Sequence, residues 1–356
     1  MEKTLFYAGS FDPFTWADAE FVLEASNNCQ RKIVIGVDGD VASLLSVKER
    51  INAVNETIQW YDKIHNTNLS ACVTVVRYCG LPLYAAVKHN AHKFVVPISC
   101  QYMPIDDIKI SASCELSRLY FYEIGIVRYP YNLSQHLNDK EVKMLLDNKE
   151  YIMLMHHVAP PVHNLLMSYA LKADYEDCCW ASGISWDDFV KTMSARKYHN
   201  LSHIAYMLNK YRWHKLTCEK KLCYENERNL RAAIYFHDYN LSSVLESFKC
   251  SGLPKSLKGL FLATDHFNAS SNEFGDLEKL MRQLDLSVLA DNHLYYLYKL
   301  AVRLEYDDVP FDEYKKNRVI ILKYLKSKIE NEQIFDKMGQ YNAINNIETE
   351  IAFYSR

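Results

Sequence analysis

The sequence predicts two domains in tandem: an α/β doubly wound parallel sheet over residues 1–160, then an all-α helical bundle over residues 161–356. Three observations predict this. The chain has 356 residues, enough for two domains that each bury a core. In the first half, short apolar runs alternate with helical patterns, the signature of a parallel sheet with crossover helices. Beyond Val158-Ala159-Pro160-Pro161 the strand signals are sparse and apolar residues recur at helical spacing. The two prolines are read as a break in regular structure and hence as the join.

The elements follow in order. Residues Thr4–Ala8 read as a strand, followed by a Gly-Ser-Phe-Asp-Pro-Phe turn and a helix through about Asp18–Ala25. The run Lys32–Val37 is a buried strand. Ser46-Val47-Lys48-Glu49 fits a capping box, in which the Ser and Glu side chains satisfy each other's backbone N–H groups, and opens a helix to about Tyr61. Val73–Arg77 is a strand, Leu83–Lys88 a helix, Lys93–Ile98 a strand and Ile124–Arg128 another. Ligands of such sheets sit at the carboxyl ends of strands, which here points to the Gly9-Ser10 turn. In the second half, helices are expected over Trp186–Met193, through His199 and His203 towards Tyr211, over Asn229–Phe236, Lys255–Leu262, Leu277–Leu289, Leu294–Leu304, Tyr314–Lys328 and about Asn342–Tyr354.

Composition narrows the function classes. A net charge of −3 gives no bulk attraction to nucleic acid or to an anionic membrane surface. No window approaches the ~18–20 apolar residues of a spanning helix. The N-terminal run Met1–Tyr7 reads as the start of a strand rather than a secretion signal. The ten cysteines are scattered, and neither Cys178-Cys179 nor Cys218-x4-Cys223 has zinc-knuckle spacing. They read as reduced thiols of a cytoplasmic protein, with a redox role for the vicinal pair left open.

The second half is organised around Ala232-Ala233-Ile234-Tyr235-Phe236-His237-Asp238-Tyr239, an apolar run ending in an adjacent His-Asp pair. Imidazole and carboxylate are both good ligands for a divalent metal. Upstream, Arg196-Lys197-Tyr198-His199-Asn200-Leu201-Ser202-His203-Ile204 spaces two histidines i, i+4, so on a helix they share a face. Downstream lie Thr264-Asp265-His266 and Leu284-Asp285-Leu286. A lone carboxylate in an apolar helix is costly unless paired or metal-bound, which marks Asp285.

This order of His, His-Asp and distant Asp resembles the HD superfamily of metal-dependent phosphohydrolases. The stretches RKYHNLSHI, AAIYFHD, LATDHF, LDLSVLA, VRLEY and NRVIILKYL follow one branch of predicted HD phosphohydrolases, from about Trp180 to the C-terminus. The resemblance implies a metal site of His203, His237, Asp238 and Asp285. His203 aligns better than His199 with the first ligand, which leaves His199 beside the ligands or near the substrate. His266 is read as an extra ligand, a phosphate contact or an ordinary histidine. A divalent ion would activate water and polarise a phosphoryl oxygen, with Asp238 also orienting the nucleophile. Arg196, Arg303 and Arg318 are candidates to hold phosphate; a structural ion pair with Glu305 or a neighbour is an equal reading for Arg303. The ligand set permits Mn, Fe, Zn, Co or Mg. The acids that members usually carry after the His-Asp pair are missing before Glu246, and another is replaced by Gln283.

The turn Tyr7-Ala8-Gly9-Ser10-Phe11-Asp12-Pro13-Phe14-Thr15 resembles the opening of pantetheine-phosphate adenylyltransferase and the wider nucleotidyltransferase family, and Ser46-Val47-Lys48-Glu49-Arg50 matches a second segment. The likeness covers about residues 1–160 and implies a Rossmann-like domain. Gly9 would let the backbone approach a phosphate, Ser10 would donate to it, and with Phe11 and Asp12 they form the candidate nucleotide site. The family's catalytic histidine falls at Asp18, its lysine in Asp40-Val41-Ala42-Ser43, its arginine segment at Pro97-Ile98-Ser99-Cys100 and its triphosphate loop near Gln135-His136-Leu137-Asn138. Adenylyl transfer depends on cations that clamp developing charge, so this domain reads as a pseudoenzyme. It either still binds a nucleotide or serves folding and homo-oligomer assembly. Three functions compete: a phosphohydrolase of a nucleotide or small phosphorylated metabolite, a non-catalytic nucleotide sensor, and a bifunctional transferase and hydrolase.

Overall fold

The structure, a computed structural model, describes residues 4–27, 30–80, 82–98, 125–130, 137, 139–179, 182–218, 221–239, 255–265 and 274–355. The chain divides into two compact units, Met1–His163 and Asn164–Arg356.

The first unit is α/β. Five parallel strands, β1 (Leu5–Gly9), β2 (Ile33–Asp38), β3 (Val73–Tyr78), β4 (Lys93–Ile98) and β5 (Gly125–Pro130), lie in the order β3-β2-β1-β4-β5. Leu5 pairs with Ile33 on one side and Lys93 on the other. Strand alternation sorts the side chains onto two faces. Leu5, Tyr7, Ile33, Ile35, Val37 and Val95 form one core with Phe21 and Val22 of α1 (Trp16–Ala25) and Val54, Ile58 and Tyr61 of α2 (Val47–His65). Phe6, Val34, Tyr78 and Phe94 form another with Ala85 and Ala86 of α3 (Pro82–Lys88). Both faces are therefore covered, as the strings of apolar strand residues require. The capping box of Ser46 and Glu49 is present at the start of α2.

The unit continues through α4 (Asp139–Asp147) and α5 (Tyr151–Met155), which the sequence reading left unassigned. The chain is irregular over residues 156–159, and Pro160 and Pro161 then open α6 (Pro160–Ala170). Proline is at home in a first helical turn, where its missing N–H has no intrahelical acceptor to satisfy.

The second unit is helical throughout its described residues. After α6 come α7 (Lys172–Cys179), α8 (Trp186–Met193), α9 (Leu201–Thr217), α10 (Tyr224–Phe236), α11 (Lys255–Ala263), α12 (Asp276–Leu286), α13 (Tyr295–Glu305), α14 (Phe311–Glu332) and α15 (Lys337–Tyr354). Every residue from Ala232 to Phe236 is buried, so α10 runs through the core. Two expectations need correction. The predicted helix through His199 starts only at Leu201, because Asn200 caps it: its side chain accepts from Ser202 N–H at 2.9 Å. The predicted helix over Leu277–Leu289 ends at Leu286 and tightens into a 3-10 turn, Ser287–Ala290. No helix among the described residues is long and apolar enough to cross a membrane.

Candidate metal centre

Three helix ends of the second unit place the site. Asn200 also donates to the carbonyls of Arg196 and Lys197, and Asn164 accepts from Leu201 N–H at 3.0 Å. These contacts fix the start of α9 and put His203 in its first turn. His237 is the C-cap of α10, and its Nδ1–H donates to the Ile234 carbonyl at 2.9 Å. Asp238 follows, held by Arg196, whose Nη1 donates to the Asp238 carbonyl at 2.6 Å. Asp285 sits in the last turn of α12.

The four side chains converge. His203 Nε2 lies 3.2 Å from His237 Nε2 and 3.2 Å from Asp285 Oδ1. His237 Nε2 is 2.9 Å from Asp238 Oδ2 and 3.4 Å from Asp285 Oδ1, and His203 Nε2 is 3.8 Å from Asp238 Oδ2. Two imidazole nitrogens at this distance either share a proton or face a common cation. Around a divalent ion with bonds of about 2.0–2.2 Å, neighbouring ligand atoms lie about 2.8–3.6 Å apart. Four of the five separations fall in that range. Asp238 Oδ2 is buried, with His237 Nε2 as its near neighbour at 2.9 Å. The group His203, His237 and Asp238 could hold a metal ion. The Nδ1 atoms face away from it, His237 to a carbonyl and His203 to the Tyr198 hydroxyl at 3.2 Å, the outward bonding that aims imidazole ligands inward.

The electrostatics of the group fit the same reading. Burial lowers the His237 pKa, but the Asp238 and Asp285 carboxylates outweigh it and hold the ring well above its usual value. Burial dominates at His203, whose pKa is lowered. Asp238 is raised by burial but brought well below the usual carboxylate range by His237 and His199. One proton thus occupies a spot that a cation would fill.

Beside the group opens a cavity of about 730 Å³ whose lining includes Tyr198, His199, Asp238, Asp285, Tyr298 and Arg318. His199 Nδ1 is 2.6 Å from Glu305 Oε1, while Glu305 Oε2 accepts from the N–H groups of Tyr198 and His199 at 2.8 and 3.0 Å. Burial lowers the His199 pKa, and Asp238 together with Glu305 more than offsets it, so the ring's pKa is raised. Glu305 is the functional residue the sequence reading missed as such. It lies 106 residues from His199, and no local pattern links them.

The remaining candidates separate. Arg196 braces the Asp238 backbone rather than standing ready for phosphate. Arg303 donates to the carbonyls of Tyr306 and Val309 and lies over the Tyr314 ring, while Glu305 faces His199 and not Arg303. Arg318 lines the cavity but is buried against Glu350, Nε to Oε1 at 2.9 Å. His266 and the stretch from Asn240 through Glu246 lie outside the described residues.

The candidate phosphate turn of the first unit is closely packed. A Cβ on Gly9 would meet the Phe11 ring at 2.8 Å, so the open face of the glycine is covered by protein. Phe11, in the left-handed region at φ 51°, is buried against Tyr7 and Phe14. Asp12 accepts from the N–H groups of Leu44 and Leu45, and the Ser10 carbonyl accepts from buried Arg50 Nη1 at 2.6 Å. At the start of α1, Trp16 N–H donates to the His157 carbonyl and Asp18 N–H to Thr15 Oγ1. Asp18 itself is buried and accepts from Tyr7 Oη, Thr15 N–H and Thr15 Oγ1 at 3.0, 2.8 and 2.7 Å. Gly9, Phe11, Asp12 and Asp18 thus serve the turn's own packing. Ser99, Cys100, Gln135, His136 and Asn138 lie outside the described residues.

Fold and site together define a two-unit protein, an α/β unit followed by a helical unit with a His/Asp group able to hold a metal ion. No family model matches the chain, and comparison with curated proteins gave no match.

Proposed function

We propose that the helical unit is a metal-dependent phosphohydrolase of the HD superfamily, acting on a nucleotide or another small phosphorylated metabolite. The observation that carries the reading is the convergence of His203, His237 and Asp238, with Asp285 Oδ1 3.2 and 3.4 Å from the two imidazoles, beside a cavity that Asp238 and Asp285 line. His203 Nε2, His237 Nε2, Asp238 Oδ2 and Asp285 Oδ1 are the atoms that would hold the ion. A divalent ion held there supplies Lewis acidity towards a phosphoryl oxygen and acidifies water. The chain's own residues supply the rest. Ile234 and Tyr198 orient the two imidazoles, and Arg196 fixes Asp238. His199, paired with Glu305 on the cavity wall, holds a proton that can pass to a leaving alkoxide.

The first unit is, in this reading, a nucleotidyltransferase-like scaffold without transfer activity. Its turn is filled by Phe11 and tied by Asp12 and Arg50, and Asp18 places a carboxylate where the resemblance calls for a histidine. We place the protein in the cytoplasm on its thiols: Cys178 and Cys179 are free, with Sγ atoms 3.4 Å apart.

The test is phosphate release from a panel of nucleotides and sugar phosphates with Mn²⁺, Mg²⁺, Co²⁺ or no metal, for wild type beside Asp238→Ala. Metal-dependent release that disappears in the variant supports the hydrolase. Bound metal with no release from any ester in either protein moves the reading to a non-catalytic binding protein.

A further inference from the structure

We propose that the cavity beside the metal group selects a phosphomonoester with an apolar organic part and a single phosphate. The inference rests on the phosphohydrolase reading for its headgroup, and on the composition of the walls for its tail. Leu286, Val288, Leu289, Val302, Ile321 and Leu325 line the cavity, with the rings of Tyr198, Tyr298, Tyr306 and Tyr314. Leu289, Leu286, Val288, Val302 and Leu325 are all buried, so these walls are part of the packed core and not a surface patch. The volume of about 730 Å³ suits a small organic molecule.

Charge narrows the headgroup. Among the described lining residues the one guanidinium is Arg318, and Glu350 engages it at 2.9 Å through Nε and at 3.3 Å through Nη2. The other ionisable lining groups, apart from His199 and the tyrosines, are the acids Asp238, Asp285 and Glu313. A diphosphate or triphosphate needs cations beyond one metal ion to balance its charge. The cationic groups among those residues, Arg318 and His199, are already held by Glu350 and Glu305, and the exposed Glu313 adds repulsion. A single phosphate at the metal group, with its organic part along the aliphatic wall, meets neither obstacle.

The reaction balances as a plain hydrolysis. Water oxygen forms a bond to phosphorus, the ester P–O bond breaks, and the departing alkoxide takes a proton to leave as the alcohol. Inorganic phosphate is the second product.

The experiment uses alkylphosphonates, which carry the same headgroup and tail but no cleavable ester. Binding of ethylphosphonate and hexylphosphonate to the Mn²⁺-loaded full-length protein is measured by calorimetry, beside AMP and ATP. A fully buried methylene is worth about fourfold in affinity, so four more, partly buried, should tighten binding about 10- to 100-fold. Ile321→Asp should remove most of that gain, and Ile320→Asp, at an exposed cavity position, should reduce it in a variant that tolerates the charge. Ethylphosphonate affinity should change little in either variant. Equal binding of the two phosphonates, or ATP binding more tightly than hexylphosphonate, overturns the inference. Release of phosphate from short hydroxylated esters with no chain-length effect leaves the hydrolase standing and removes the tail selectivity. A chain-length gain in binding with no release from hexyl phosphate keeps the selective cavity and removes the hydrolase.

Discussion

Replacing Glu305 by Gln tests the electrostatic frame of the cavity. The Glu305 carboxylate, at the end of α13, holds His199 Nδ1 at 2.6 Å and the N–H groups of Tyr198 and His199 at 2.8 and 3.0 Å. Burial alone raises its pKa, but the His199 contacts and the two backbone donors outweigh it and bring the carboxyl from 4.5 to about 2. That drop corresponds to about 3 kcal/mol in favour of the charged form. The folded value lies below the ordinary one, so this stability is complete above about pH 4.5 and is lost as the pH falls towards about 2. Gln keeps the shape and an acceptor oxygen but no charge. The variant should lose about 2–3 kcal/mol at pH 7, and the gap should shrink by about half at pH 3. His199 should also titrate at lower pH, having lost a carboxylate that helps retain its proton. Urea unfolding at the two pH values, beside an NMR titration of the His199 ring, reads both effects. A variant as stable as wild type at pH 7, with an unchanged His199 titration, would refute the reasoning.

Other expectations follow from the same contacts. His163 is buried, and burial outweighs its hydrogen bond to the Tyr151 carbonyl to hold its pKa at about 4. The unfolded state then binds the proton better, so stability is complete above about pH 6.5 and falls by about 3 kcal/mol by pH 4. His163→Gln should flatten that slope in acid unfolding curves. Arg318→Met leaves the Glu350 carboxylate buried without its guanidinium, which should cost about 3–5 kcal/mol in thermal unfolding. Adding Glu350→Gln should recover much of that loss, and additive losses would contradict the pair. Because Asp238 and Asp285 raise the His237 pKa well above its ordinary value against the effect of burial, metal uptake at pH 7 should release about one proton per ion. Calorimetry in buffers of different ionisation enthalpy measures this, and affinity should fall as the pH is lowered.

Much of the fold was legible because local patterns carried it. The alternation of strands and helices, the capping box at Ser46 and the strand Lys93–Ile98 were readable from residues a few positions apart. The prolines at 160 and 161 stand at the end of an irregular stretch, because the residue that breaks a helix interior suits its first turn. The i, i+4 spacing of His199 and His203 suggests one helix, but Asn200 between them is its N-cap and leaves His199 outside. The His-Asp pair, His203 and Asp285 stood out as polar groups in apolar surroundings, and the structure brings those four together. Glu305, the Arg196 brace and the filling of the Gly9 turn by Phe11 did not. Each depends on a side-chain direction, and for Glu305 and Arg196 also on a distant partner, which residue spacing does not encode.

The central claim is that His203, His237, Asp238 and Asp285 together hold a divalent ion. Its most direct test is the metal content of the purified protein after loading with Mn²⁺ or Co²⁺ and exhaustive dialysis, measured for wild type and for His203→Ala, His237→Ala, Asp238→Ala and Asp285→Ala, with folding checked by circular dichroism. Metal retained by wild type and lost from the folded variants is the result expected. A wild-type protein that retains no metal, or folded variants that retain as much as wild type, would contradict it.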